Sequence, residues 1–275
     1  LDFNSALSFD RSDTYLQALT EVNILKINNL AQAIQSQSQS TGKAPDQESI
    51  KQVGALIDQG IGYANEAIKI DPANHYNHLS SARIYSIALT LQVPGAYDSI
   101  KKAYTNAALY SPSDPSIYLS LARVEASQNK MLEAERYIGA SLQKKANYLD
   151  AIYLLSQIQV AENKIKDAIT SVQVASRINP TNPQIFFQLG FLYYNDKDYQ
   201  AAIDALSTAI KLDNTYANAQ YFLGLSYARI NNFPDAIIQF ENLAVTNPDN
   251  QEVRLILANL NKGKTPFADI KPPID

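Results

Sequence analysis

Two histidines one helical turn apart, His75 and His78, are the residues whose spacing points most directly to metal chemistry, because imidazoles at i and i+3 share a helix face. Asp71 lies near them, but no third ligand is evident. A pair of surface histidines after the Asp71-Pro72 turn is therefore expected, and no metal site is assigned. Gly54, Gly60 and Gly62 make no phosphate loop, since they precede no Lys-Ser/Thr and follow no strand; they read as permitting close helix packing. Serine is plentiful, yet with only these two histidines no nucleophile–base–orienter set suggests itself. Asp196, Asp198 and Asp204 fall on a turn and an outer face, not as an acid–base pair. The expectation is a chain that is not an enzyme and that uses no cofactor.

Recognition chemistry has more support. Leu79, Leu119, Tyr153, Phe187 and Tyr221 form one column of equivalent positions, and Arg83, Arg123, Gln157, Phe191 and Leu225 form a second, four residues further on. Tyr76 and Tyr194 lie on the same surface, with Arg229 beside it. At about 100° per residue these positions fall roughly opposite the packing stripe of a helix, where packing alone would leave polar residues. An apolar and aromatic ribbon carrying arginines suits the gripping of an extended chain or a helix, because aromatics and arginine dominate binding hot spots. The other reading is that curvature of the array buries these side chains against the next unit. The expected partner-binding groove is Tyr76, Arg83, Arg123, Tyr153, Phe187, Phe191, Tyr194, Tyr221 and Arg229.

These columns exist because a 34-residue period runs from about Pro115 to Asn250. Pro183–Tyr216 lies over Ala217–Asn250 without a gap: Leu189-Gly190 falls on Leu223-Gly224, Tyr193 on Tyr227, Ala202-Ile203 on Ala236-Ile237, and Leu206 on Phe240. Such a period marks a stacked array in which each unit buries its apolar face against neighbours. Each unit reads as two helices. Phe186, Leu189, Gly190 and Tyr193 make one stripe, Asn195-Asp196-Lys197-Asp198 breaks it, and Ala202, Ile203, Leu206, Ala209 and Ile210 make the second. Gly190, Gly224, Ala202 and Ala236 are small where the paired helices approach, and Asn179-Pro180 and Asn247-Pro248 end the helical path.

The columns resemble the tetratricopeptide repeat (TPR) motif over roughly residues 73–263. The resemblance implies an all-α fold of antiparallel helix pairs stacked into a right-handed superhelical solenoid with a concave inner face. Its expected division is an atypical long helix pair over 1–72, then units 73–114, 115–148, 149–182, 183–216 and 217–250. A capping helix over 251–263 and an extended tail over 264–275 complete it. Unit 73–114 carries about six extra residues around Leu91–Ala96, read as an enlarged loop. In the first pair, a helix over Asp10–Ser36 with Asp13 as N-cap leads into a polar loop over Gln35–Ala44, then a second helix over Asp46–Ile70. On Gln251–Asn261, Val253, Leu255, Ile256 and Leu260 form the packed face, while Gln251, Glu252, Arg254 and Asn259 point outward. TPRs that bind heat-shock chaperones carry a carboxylate clamp of Lys, Asn and Arg on the inner face. Leu, Tyr and Phe occupy the matching column here, so capture of a chaperone tail is not expected.

Segments such as Asn147-Tyr148-Leu149-Asp150-Ala151, Phe186-Phe187-Gln188-Leu189-Gly190 and Ala258-Asn259-Leu260-Asn261-Lys262-Gly263 also resemble the TPR tails of bacterial O-antigen ligase or polymerase-like membrane proteins. That likeness implies a scaffold recruiting a protein or peptide segment to a glycan-assembly machine. It transfers no catalytic residue. The alternative is a structural subunit that self-associates through repeat stacking or docking of its tail.

Length and composition bound these readings. The chain has 275 residues, 46% of them hydrophobic and 18% charged, with a net charge of −4, so it is neither disordered in composition nor basic enough to suggest nucleic acid. No run of 18 apolar residues is present, and direct membrane insertion is not expected. Cysteine is absent, which excludes disulfides and zinc–thiolate sites and leans slightly toward an exported protein; with the resemblance to bacterial O-antigen ligase tails, the expected location is extracytoplasmic or at the bacterial cell surface. The chain starts at Leu1 and its only methionine is Met131, so it is expected to be a processed product or a piece of a longer polypeptide, tethered through an upstream region.

Overall fold

The computed structural model describes residues 12–268 apart from 43 and 45. Among the described residues there are thirteen helices and no strand. They group into two compact units, Leu1–Ala146 and Asn147–Asp275. The first holds α1 (Asp13–Thr41), α2 (Gln47–Ile70), α3 (His75–Thr90), α4 (Ala96–Tyr110), α5 (Pro115–Ser127) and α6 (Met131–Lys144). The second holds α7 (Leu149–Ala161), α8 (Ile165–Ile178), α9 (Pro183–Asn195), α10 (Tyr199–Leu212), α11 (Ala217–Arg229), α12 (Phe233–Thr246) and α13 (Gln251–Asn261). Within each unit every helix packs on its sequence neighbour, and first helices also meet across a repeat, α1 with α3 and α9 with α11.

The helix starts follow side-chain chemistry. Asp46, Asp114, Asn182, Asp198 and Asn250 each accept a hydrogen bond from a backbone N–H of the first turn, and Pro115 and Pro183 occupy opening positions where no N–H is needed. Inside each pair the turn is equally regular. Asn129, Asn163, Lys197 and Asn231 all have φ near +60°, and the N–H three residues past the helix end reaches back five residues, as in Lys130 to Glu125 and Asp198 to Tyr193. That left-handed position recurs at the 34-residue step.

The close approach inside a pair is tightest at two glycines. A Cβ on Gly190 would lie 2.5 Å from Leu206 Cγ, and one on Gly224 would lie 2.7 Å from Phe240 Cε2. Only hydrogen fits there, because close-packed interiors leave no void to absorb a methyl group. Of the three glycines in α2 only Gly60 has such a role, facing Ile84 Cδ1 at 2.9 Å; nothing lies within 4 Å of a Cβ on Gly54 or Gly62.

Several local expectations need correction. Ser12, not Asp13, caps α1; Asp13 instead accepts from the Asn74 and Asn77 side chains at 2.7 and 3.1 Å, tying α1 to α3. Residues 10 and 11 lie outside the described residues. The polar Gln-Ser stretch is helical through Thr41, since glutamine is a good helix former and the stop comes from Gly42 at φ 66°. The expansion near Pro94 is partly helix: α3 has 16 residues against 13 in α5, so the extra sequence lengthens the helix before it enlarges the loop. His78 is buried, with its Nε2 2.8 Å from the Pro72 carbonyl and its ring stacked on Tyr110.

The chain end departs as well. In α13, Leu255 is exposed while Leu257 joins Val253, Ile256 and Leu260 against the core. Glu252 and Asn259 turn inward: Glu252 accepts from Tyr221, and Asn259 Nδ2 donates to the Pro266 carbonyl at 3.1 Å. The extended tail expected from Thr265 begins instead with a turn that buries Pro266 and packs Phe267 on the unit 2 core. Residues 269–275 lie outside the described residues.

Candidate partner-binding surface

In unit 2 the first helices α7, α9 and α11 carry the aromatic columns. Phe187 and Phe191, one turn apart on α9, have ring centroids 6.2 Å apart. Both converge on Phe222 of α11, at 6.1 and 5.0 Å, and Phe187 also meets Tyr216 at 5.0 Å. Tyr221 packs edge-on to Phe222 at 5.4 Å and to Phe240 at 5.7 Å. Edge-to-face pairs at these spacings are favourable because the positive ring edge meets the negative face. On α9 and α11 the predicted aromatic positions thus meet in a ring cluster organised around Phe222, a residue in neither column. Phe222 was hard to foresee because it sits one helical step, about 100°, from Tyr221, between the packing stripe and the inner face.

The predicted residues differ in exposure. Phe187, Phe191, Tyr153 and Tyr221 are half-buried, while Tyr194 keeps only 7% of its surface. Tyr194 packs edge-on between Tyr199 and Phe222, and its hydroxyl accepts from Arg229 Nε at 3.2 Å. That hydrogen bond raises the Arg229 pKa further. Arg229 itself is exposed, lies 6.0 Å from the Tyr194 ring centroid, and pairs with no carboxylate among the described residues. Tyr221 donates to Glu252 Oε1 at 2.8 Å; burial first, and then this bond to a carboxylate, push its pKa well above the ordinary tyrosine value. The Tyr153 hydroxyl is buried without a hydrogen-bond partner among the described residues, and burial raises its pKa, with Asp150 adding to the effect.

In unit 1, Tyr76, Leu79 and Arg83 of α3 border an open cavity of about 530 Å³ with Thr14, Gln17 and Glu21 of α1. Tyr76 is 60% exposed, and Arg83 Nη1 pairs with Glu21 Oε1 at 2.7 Å. Arg123 on α5 is exposed, whereas Leu119 of the same column is fully buried. Among the described residues no group of three or more His, Cys, Asp or Glu could hold a metal ion, and no helix is long and apolar enough to cross a membrane.

Residues 187–252 match the family model for the tetratricopeptide repeat. The chain is 25% identical over 122 residues to anaphase-promoting complex subunit 3 of Schizosaccharomyces pombe, covering 44% of this chain and 18% of that protein. It is 24% identical over 172 residues to the Homo sapiens protein O-mannosyl-transferase TMTC1, covering 61% of this chain and 20% of that protein. The chain therefore spans about a fifth of the length of these curated relatives. Among solved structures it is similar to YrrB, a TPR protein with an unusual peptide-binding site, at a TM-score of 0.54 and 18% identity over 70% of this chain and 95% of that one. Together with the helix pairs, these likenesses support an all-α repeat-solenoid fold of TPR type, the fold of a protein-interaction scaffold.

Proposed function

We propose that this chain is a non-catalytic TPR-type scaffold that holds a peptide or protein segment against the first-helix face of unit 2. The observation that carries the reading is a half-exposed ring cluster, Phe187, Phe191 and Tyr221, beside an arginine, Arg229, that pairs with no carboxylate among the described residues. Rings already packed on one another lose little side-chain freedom when a partner covers them, which makes them efficient anchors. Arg229, steadied by Tyr194, supplies a cation that an acidic side chain of the partner would neutralise. Tyr76, Arg83 and Arg123 offer a second, more polar surface in unit 1. The peptide-binding site of YrrB supports the class of partner, and the resemblance to O-antigen ligase tails supports a place in a larger bacterial glycan-assembly protein.

A random peptide library panned on the purified chain, followed by calorimetry with a selected peptide, tests this. Arg229→Ala and Phe191→Ala are each expected to weaken binding by about 1–2 kcal/mol, in the range of interface hot spots. Val245→Ala, at a residue 80% exposed on α12, is expected to leave binding unchanged. Peptides whose affinity ignores both groove variants would overturn the assignment.

A further inference from the structure

Unit 1 contains a cleft that the repeat pattern does not account for. It opens between the distal half of α1, α2 and the last turns of α3, and has a volume of about 830 Å³. Ile27, Val53 and Ile57 form a floor that is 2%, 8% and 3% exposed. At the rim, Ile50, Leu91 and Val93 remain 59%, 51% and 39% exposed, an apolar mouth open to water. None of the residues assigned to partner binding lines it.

Three observations define what fits. No lining residue is charged: the polar members are Asn28, Gln35, Ser38 and Thr90. The stretches 27–41 and 84–97, which supply most of the walls, contain no Asp, Glu, Lys or Arg, although 18% of the whole chain is charged. An occupant bearing a charge would be buried there without a counter-ion, at high cost. Apart from Leu91 and Val93 in the turn after α3, whose N–H groups bond back to Ile87 and Ala88, the walls are helices whose backbone groups are bonded internally, so an extended peptide would find few partners for its own N–H and C=O groups. A hydrocarbon chain has no such groups to satisfy, and the volume lies in the range of about 300–1,000 Å³ usual for small-molecule sites. The third observation is Gly54. It sits within α2 at the cleft, where glycine weakens a helix, yet a Cβ there would meet nothing within 4 Å. No packing contact requires it; the missing side chain leaves the cleft open.

We infer that this cleft binds the acyl chain of a lipid, with the head group outside. Titration of the intact chain with cis-parinaric acid, which brightens in apolar surroundings, is expected to saturate. Palmitate and uncharged hexadecanol are expected to displace the probe equally well, because the cleft holds no cation for a carboxylate. Gly54→Phe fills the open space, and Leu91→Asp puts a charge on the exposed rim where folding is little affected. Each is expected to weaken binding by roughly ten-fold or more, about one decade of affinity, with unchanged circular dichroism. Non-saturating uptake, a requirement for the carboxylate, or wild-type affinity in Leu91→Asp would overturn the assignment. So would displacement by an amphipathic helical peptide where hexadecanol fails, which would give the cleft to a protein partner.

Discussion

At the scale of single residues, the repeat is written as much in backbone conformation as in hydrophobicity. In the four pairs from α5 to α12, the left-handed position that closes the first helix is asparagine at 129, 163 and 231 but lysine at 197, with φ 65°. Asparagine tolerates this region because its short side chain bonds locally; lysine brings a Cβ penalty and no compensation. Lys197→Gly is therefore expected to stabilise the protein by about 1 kcal/mol, and Lys197→Asn by about half of that, read as a rise in the urea midpoint at unchanged slope. No change in midpoint for either variant would contradict the strain argument. The sequence announced this turn through its polar residues, but not the sign of φ. By contrast the glycine columns at 190 and 224 were legible, because a glycine at the centre of an amphipathic stripe has few other reasons to be there.

At the scale of elements, α4 and α5 are joined by a buried charge that the sequence did not reveal. Glu125 is fully buried; its two oxygens meet Lys101 Nζ and Tyr97 Oη, each at 2.8 Å, and Lys130 in turn donates to that tyrosine hydroxyl. Burial pushes the Glu125 pKa up, but the hydrogen bonds from Lys101 and Tyr97 outweigh it and hold the carboxyl below its ordinary value of 4.5. A carboxyl with a depressed native pKa stabilises the fold above its unfolded value, and that stability is lost as pH falls through the native value. Glu125→Gln is thus expected to cost about 2 kcal/mol at pH 7, and the gap to wild type should close as pH drops below 4.5. A gap that stays constant across that range would mean the charge contributes nothing. Glu125 escaped notice because a lone glutamate in an apolar stripe looks like a break in the pattern; its partners come from residues 24 to 28 positions earlier and appear only once the helices pack. Helix ends followed similar logic. Periodicity located α7 to α13, whereas the length of α1 was set by Gly42 and could not be read from a low-complexity run.

At the scale of the whole molecule, the period decided the architecture, and the columns located an aromatic face, but the split between packing and recognition needed the third dimension. Tyr194 and Leu119 are largely consumed by packing, while Phe187, Phe191, Tyr221 and Arg229 retain surface. Folding back of Pro266 and Phe267 onto α13 occupies the start of the tail, which weighs against that part docking into a second copy. The first-helix face of unit 2 is the proposed seat of a partner. Site-specific photo-crosslinking with a library-selected peptide tests it most directly, with p-benzoylphenylalanine placed at position 191 in one protein and at position 245 in another. A peptide adduct is expected from 191 and none from 245; adducts from 245 in equal or greater yield would move the partner off this face.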